Sequence, residues 1–542
     1  MHDNLHQLEI IILLLMAVLA VTTVARKLSI PYPILLVVGG AFLGVVPGLP
    51  TVHLDPDLVF VVFLPPILWA AAYFTSWRDF RANLRPIILL AVGLVLATTA
   101  AVAGVAHTML PGLGWAGAIT LGAIVSPPDA VSATAVGKQL HLPRRGITIL
   151  EGESLVNDAT ALVLYRAAVT AAVSGAFELS DTLLEFVIAA AVGVAVGIAV
   201  GLVSRWALRL TGDSFSEIAI TLLAPYIAWV LAEQAHASAV LACVAGGLYI
   251  RRHFSAIVAP ATRIQARAVW DLLVFLLNGI LFILIGLQLG ALRDAIPSSE
   301  LGSLTVKGAL VVATVIIVRL VWVPVAAWVP RFASPALRAR DPMPPWSNLL
   351  IIGWTGMRGI VSLAAAMALP LLTAAGTPFP YRGEIILITF MVILATLVLQ
   401  GLSLPPLIRV LDLGEDSSLE HEERHARERA ATAALARLEE LLTEDWPVAD
   451  HVDQLRVHYD RRRQRYGNVG SDTECTQEVA EAFRRLRHET LTAERLALID
   501  LRNEGVISDE ILHRLENELD VEALRLGIGE LRVSSWHRPN RP

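Results

Sequence analysis

A chain of 542 residues that is 55% hydrophobic, only 17% charged and has a mean hydropathy of +0.61 is not an ordinary soluble protein; soluble domains run at about 25% charged. Its two cysteines, Cys243 in an apolar stretch and Cys475 in a polar one, indicate no disulfide framework. No Gly-x-x-x-x-Gly-Lys-Ser/Thr phosphate cradle occurs, which argues against an ATP-driven machine.

The segment before the first apolar run, Met1-His2-Asp3-Asn4, lacks the positive charge of a signal peptide, so that run is expected to be a retained membrane helix. Apolar runs then recur to about residue 412, most of them long enough for the ~20 residues that span hydrocarbon. They predict thirteen helices, at about 8–25, 30–47, 57–75, 86–107, 115–137, 146–174, 182–210, 215–233, 237–250, 268–291, 304–329, 347–374 and 384–409. The ninth is the shortest. With the N-terminus outside, the loops and helix ends on the cytoplasmic side hold 17 basic residues, against three (Arg293, Lys307, Arg382) on the other. That alternation supports the count and the orientation, and an odd count leaves the C-terminus in the cytoplasm.

The fifth segment carries Ser126-Pro127-Pro128-Asp129 at its middle, where prolines remove amide donors and disfavour helical geometry in the preceding residue. The twelfth carries Gly353-Trp354-Thr355-Gly356-Met357-Arg358-Gly359. One interrupted membrane helix is ordinarily a kink. Two, seven helices apart, point to an inverted-repeat transporter with a site at the membrane midplane, where unwound backbone is tolerated beside protein or a watery cavity.

Between them, in the sixth segment, lies Glu153-Ser154-Leu155-Val156-Asn157-Asp158. A carboxylate at the bilayer centre costs roughly 2.5–3.5 kcal/mol on insertion scales, so two in one helix imply a ligand. At 3.6 residues per turn Ser154, Asn157 and Asp158 share a face. Carboxylate, hydroxyl, amide and freed carbonyls make an all-oxygen site suited to a hard alkali cation, with Asp158 holding either a cation or a proton. Such competition suffices for antiport. Arg358, embedded in the twelfth segment, needs an acid; Glu153 either pairs with it or coordinates the cation directly. Arg319, inside the apolar run 312–323, reads as structurally paired, Arg166 as snorkelling to the interface, and Asp271 as solvated or capping.

After about residue 413 the character changes. Residues 415–542 hold 19 Lys and Arg against 28 Asp and Glu, with helical periodicity in 430–442, 478–498 and 511–526. The expected fold class is therefore an all-α polytopic membrane protein with inverted repeats and two discontinuous crossing helices. Residues 1–412 would form the membrane domain and 413–542 a helical cytoplasmic tail for regulation or assembly.

Gly152-Glu153-Ser154-Leu155-Val156-Asn157-Asp158-Ala159, Ser126-Pro127-Pro128-Asp129-Ala130-Val131, Gly356-Met357-Arg358-Gly359 and Gln400-Gly401-Leu402-Ser403-Leu404 together resemble the monovalent cation/proton antiporters. More narrowly, they resemble the sodium/proton exchangers with Asn-Asp in the sixth helix. The resemblance implies a plasma-membrane homodimer whose core domain moves against a dimerisation domain. It implies exchange of Na+, with Li+ or K+ as alternatives, for H+, one for one, with no cofactor and no nucleic-acid partner. Asp158 becomes the shared carboxylate, Ser154 and Asn157 its neighbours, with Asp158 and Ser154 as Na+ ligands. Asp129 becomes the acid of the crossover, and Glu153–Arg358 a structural ion pair. One departure is that Pro128-Asp129-Ala130 stands where the family usually has Thr-Asp-Pro. The rival readings are a K+/H+ antiporter of the same fold and a non-transporting membrane sensor.

Overall fold

The computed structural model describes residues 2–28, 30–46, 55–129, 143–174, 179–294, 298–411, 417–444, 446, 448–467, 473–504 and 506–525. The chain divides into two compact units, Met1–Asp416 and Ser417–Pro542. Among the described residues there is no β-strand, only an isolated bridge between Leu372 and Pro378.

In the first unit, α1 (His2–Leu28) and α2 (Tyr32–Val45) are followed by α3 (Pro56–Phe74), a short α4 (Trp77–Ala82) and α5 (Leu84–Met109). Then come α6 (Trp115–Val125), α7 (Arg144–Ser174), α8 (Leu179–Leu210), α9 (Ser214–Gln234), α10 (Ala239–Ile257), α11 (Pro260–Asp294) and α12 (Ser298–Ala333). A short α13 (Pro335–Arg340) leads to the half-helices α14 (Trp346–Trp354) and α15 (Ile360–Met367), and α16 (Arg382–Val410) closes the unit. Seven of the described helices are long and apolar enough to cross a membrane by length and composition. Every predicted segment overlaps helix, with boundaries that differ where local chemistry intervenes. The ninth, expected to end at 250, runs to Ile257 through Arg251-Arg252-His253, charges that end a hydropathy run but not a helix. The twelfth stops at Met367, three residues before Pro370, rather than at 374. The second half of the fifth, 130–137, lies outside the described residues.

Helices in lipid associate through small residues that let backbones approach. An added Cβ on Gly40 would lie 2.3 Å from the Ile283 carbonyl oxygen, and one on Gly286 would lie 2.2 Å from that of Val37. Glycine at both positions is what lets α2 lie against α11. Among the described residues, three helices carry an inserted π turn: Val59–Phe63 in α3, Leu89–Leu94 in α5 and Thr396–Gln400 in α16. Such insertions recur at functional sites.

In the second unit α17 (Ser417–Leu441) faces α18 (Ala449–Gly467), and α19 (Thr473–Asn503) faces α20 (Asp509–Arg525). Ala431, Val452, Leu491, Leu512 and Ala523 are buried there, while Arg487–Glu522 and Arg495–Asp520 tie α19 to α20.

Candidate functional site

The site is built where α6 stops. Its last regular residue is Val125, and Pro127 and Pro128 cannot donate backbone hydrogen bonds. The chain leaves the helix at Ser126–Asp129 beside the equally irregular Thr355–Gly359, which separates α14 from α15. The two irregular stretches satisfy one another. The Asp129 amide donates to the Met357 carbonyl at 2.7 Å. In return, Arg358 Nε donates to the Val125 carbonyl at 3.1 Å, and its Nη2 to that of Ser126 at 3.5 Å. Arg358 Nη1 donates to the Gly356 carbonyl, and the Arg358 amide donates to Thr396 Oγ1 at 3.1 Å, from the π turn of α16. One fully buried guanidinium thus neutralises the carbonyl ends of two half-helices, where the helix dipole is negative. Asp129 does the converse. A Cβ on Gly359, the residue before α15, would lie 2.7 Å from Asp129 Cβ and Cγ, so the carboxylate sits by the positive end of that half-helix.

Helix α7 carries the other side chains across this crossing. Asn157 Nδ2 donates to the Pro128 carbonyl at 2.9 Å and Ser154 Oγ to the same oxygen at 3.4 Å. The two residues therefore clamp the break. Asn157 is fully buried, and its Oδ1 has no hydrogen-bond partner among the described residues. Buried side-chain oxygens are almost always satisfied, and this one lies on the same helical turn as Asp158. Asp158 is half-buried, and Asp158 and Asp129 lie close enough to act on each other's charge. Two carboxylates in a medium of low dielectric repel one another, which favours a proton on one of them or a cation beside them. The structure brings Asp129, Ser154, Asn157 and Asp158 together. It also adds Tyr32 of α2, within electrostatic reach of Asp129, which no sequence pattern singled out.

The expected Glu153–Arg358 pair is corrected. Glu153 is completely buried, and its partner is Arg319 of α12, which approaches Oε1 through Nη1 and Oε2 through Nη2 at 2.9 Å. Arg319 Nε completes the set on the Ile352 carbonyl at 3.2 Å. The physical reason is that Arg358 found another solution, the carbonyls of Val125, Ser126 and Gly356, leaving the acid for Arg319, which meets a carbonyl only through Nε. Arg319, a lone charge in an apolar run, was the available signal. Arg166 pairs with Glu233 at 3.0 Å with both side chains largely exposed. Asp271 faces Arg267 at 3.7 Å in solvent, as its position predicts.

No group of His, Cys, Asp and Glu suited to a transition metal occurs among the described residues. The donor set at the crossing is oxygen alone, which suits a hard monovalent cation.

Comparison with known proteins is consistent with this geometry. The family model for "Sodium/hydrogen exchanger, transmembrane" matches residues 11–410. A protein of Mycobacterium tuberculosis named as an uncharacterized Na(+)/H(+) exchanger is 35% identical over 532 residues, covering 96% of each chain. A sodium, potassium, lithium and rubidium/H(+) antiporter of Bacillus subtilis is 28% identical over 549 residues, 97% of this chain and 80% of that one. The fold resembles the sodium proton antiporter MjNhaP1 of Methanocaldococcus jannaschii with a TM-score of 0.60 at 18% identity, over 76% of this chain and all of that one.

Proposed function

The chain belongs to the sodium/hydrogen exchanger family, a multi-pass membrane antiporter rather than an enzyme and without a cofactor, and we propose that Asp158 is the single carboxylate that carries its ions. In this reading Asp158 holds Na+ or H+ but not both, Asn157 Oδ1 and Ser154 Oγ help bind the cation, and Asp129 shares the charge. The observation that carries it is the buried, unpartnered Asn157 oxygen one residue from Asp158 on a helix clamped to the break. Exchange of one ion for the other on one carboxylate moves no net charge, so transport is electroneutral.

A cavity of about 840 Å³ supports access from one side. It is lined by Ala159 and Leu162, next to and one turn from Asp158, and by the polar side chains of Asp57, Arg166, Glu233 and His236. It lies toward the Ser174 end of α7, away from the basic Arg144–Arg145 end. With the N-terminus outside and the C-terminus in the cytoplasm, this is the outward-facing half of an alternating-access cycle. Assembly as a homodimer in the plasma membrane and movement of a core domain belong to the same proposal, as does regulation by residues 413–542. The relative named for four alkali cations favours testing selectivity beyond Na+.

The experiment is proton flux in proteoliposomes after separate pulses of Na+, Li+ and K+, with Asp158→Asn alongside. Cation-evoked flux that disappears in a folded Asp158→Asn variant is the expected result, and the ranking of the ions names the substrate. Retained flux in that variant removes Asp158 from the mechanism.

A further inference from the structure

At the basic end of the membrane unit, far along α7 from the cavity just described, three arginines converge on one carboxylate. Arg85 Nη2 lies 2.6 Å from Asp341 Oδ2, Arg331 Nη2 2.8 Å from the same atom, and Arg145 Nη2 2.9 Å from Oδ1. Arg331 Nε also donates to the Asp341 carbonyl at 3.0 Å, and Arg145 Nε to Asn83 Oδ1 at 3.0 Å. The neighbouring Arg144 is matched by Asp79 at 2.7 Å. The cluster therefore carries three positive charges against one negative, and Arg85 and Arg145 are 31% and 49% exposed, with guanidinium donors to spare.

Directly beneath these arginines a cleft of about 90 Å³ opens between α5, α7, α12 and α14, with Leu90, Ile149, Leu150, Val323, Leu349 and Ile352 in its walls. The same six residues belong to one buried apolar cluster. On the neighbouring surface Trp328 of α12 and Trp346 of α14 lie 5.5 Å apart and are 52% and 60% exposed. Exposed tryptophans mark the level at which hydrocarbon gives way to headgroups. An apolar slot, a cationic rim and an exposed tryptophan pair on α12 and α14, two of the helices that line the slot, specify an amphiphile with an anionic head.

We infer that this cleft is a binding site for an anionic phospholipid, its phosphate held over Arg85 and Arg145 and the start of an acyl chain against the apolar wall. Guanidinium recognises phosphate through paired, charge-assisted hydrogen bonds, and a second anion offsets the charge that Asp341 leaves unmatched. Because the site spans α5, α7, α12 and α14, occupancy would brace the elements that hold Glu153, Arg319 and Asp158.

The test is thermal unfolding and native mass spectrometry of the full chain in detergent, titrated with phosphatidylglycerol, phosphatidylcholine or inorganic phosphate. Phosphatidylglycerol is expected to bind and raise Tm saturably, and the other two to do neither. Arg85→Gln and Arg145→Gln should each weaken phosphatidylglycerol binding about tenfold or more, the value of one charge-assisted hydrogen bond. A second variant leaves every arginine in place. Gly146 lines the cleft in the first turn of α7, and a Cβ built there meets nothing within 4 Å, so the side chain of Gly146→Leu starts into open space at the slot. It should abolish the lipid-dependent rise in Tm. Equal stabilisation by inorganic phosphate, equal binding of phosphatidylcholine, or phosphatidylglycerol binding untouched in all three variants would each overturn the assignment.

Discussion

Glu153→Ala is the most informative perturbation of the membrane unit, because the structure and the sequence reading assign its partner differently. The substitution removes both carboxylate oxygens that Arg319 meets, while the guanidinium, 0% exposed, keeps the Ile352 carbonyl alone among the described residues. Removing one partner of a buried pair leaves an uncompensated charge and costs about 3–5 kcal/mol. A double-mutant cycle separates the two candidate partners. Groups in contact couple by about 0.5–3 kcal/mol; Glu153 with Arg319 belongs at the upper end of that range, and Glu153 with Arg358 at the lower end. Arg358→Ala is destabilising for a different reason, since it strands the carbonyls of Val125, Ser126 and Gly356. The joint change Glu153→Leu with Arg319→Met should recover most of the loss, because apolar replacement of a whole buried pair is often neutral or better. The assay is equilibrium unfolding in mixed micelles followed by tryptophan fluorescence. Stronger coupling of Glu153 to Arg358 than to Arg319 would refute the assignment.

Gly359→Ala should damage the crossing without touching a charge. Its methyl would sit 2.7 Å from Asp129 Cβ and Cγ, so exchange measured in proteoliposomes should fall steeply while the protein still inserts. Asp341 gives a pH signature. Burial pushes its carboxyl upward, but the hydrogen bond and charge of Arg145, then those of Arg331, outweigh this and hold it below the ordinary carboxylate range. A depressed carboxyl contributes stability at pH values above the ordinary carboxylate pKa of about 3.9, and that contribution is lost as pH falls through the lower folded value. Asp341→Asn should therefore flatten the acid limb of a stability-versus-pH curve in that window; an unchanged slope would count against the cluster. A chain ending at Asp416, the limit of the first compact unit, should insert and transport, with altered pH dependence as the expected change. Failure of that shortened chain to assemble would show that the second unit is structurally required.

The sequence by itself determined the class of molecule. Long apolar runs can reside only where backbone groups bond internally, which makes them helices, and two prolines or three glycines inside such runs break them wherever the tertiary fold puts them. It also put Asp158, Asn157 and Ser154 of the proposed site on one face, because 3.6 residues make a turn. What it left open is what those groups touch. Ser154 and Asn157 are legible as oxygen-bearing neighbours of Asp158, but that both donate to the single Pro128 carbonyl, freeing Asn157 Oδ1, depends on where α7 crosses the break. The fully buried Arg319, Arg358 and Glu153 admit more than one pairing on charge alone. Only the tertiary structure decided it, because two of the three carbonyls that satisfy Arg358, those of Val125 and Ser126, lie about 232 positions away and exist as free acceptors only after two helices have broken side by side.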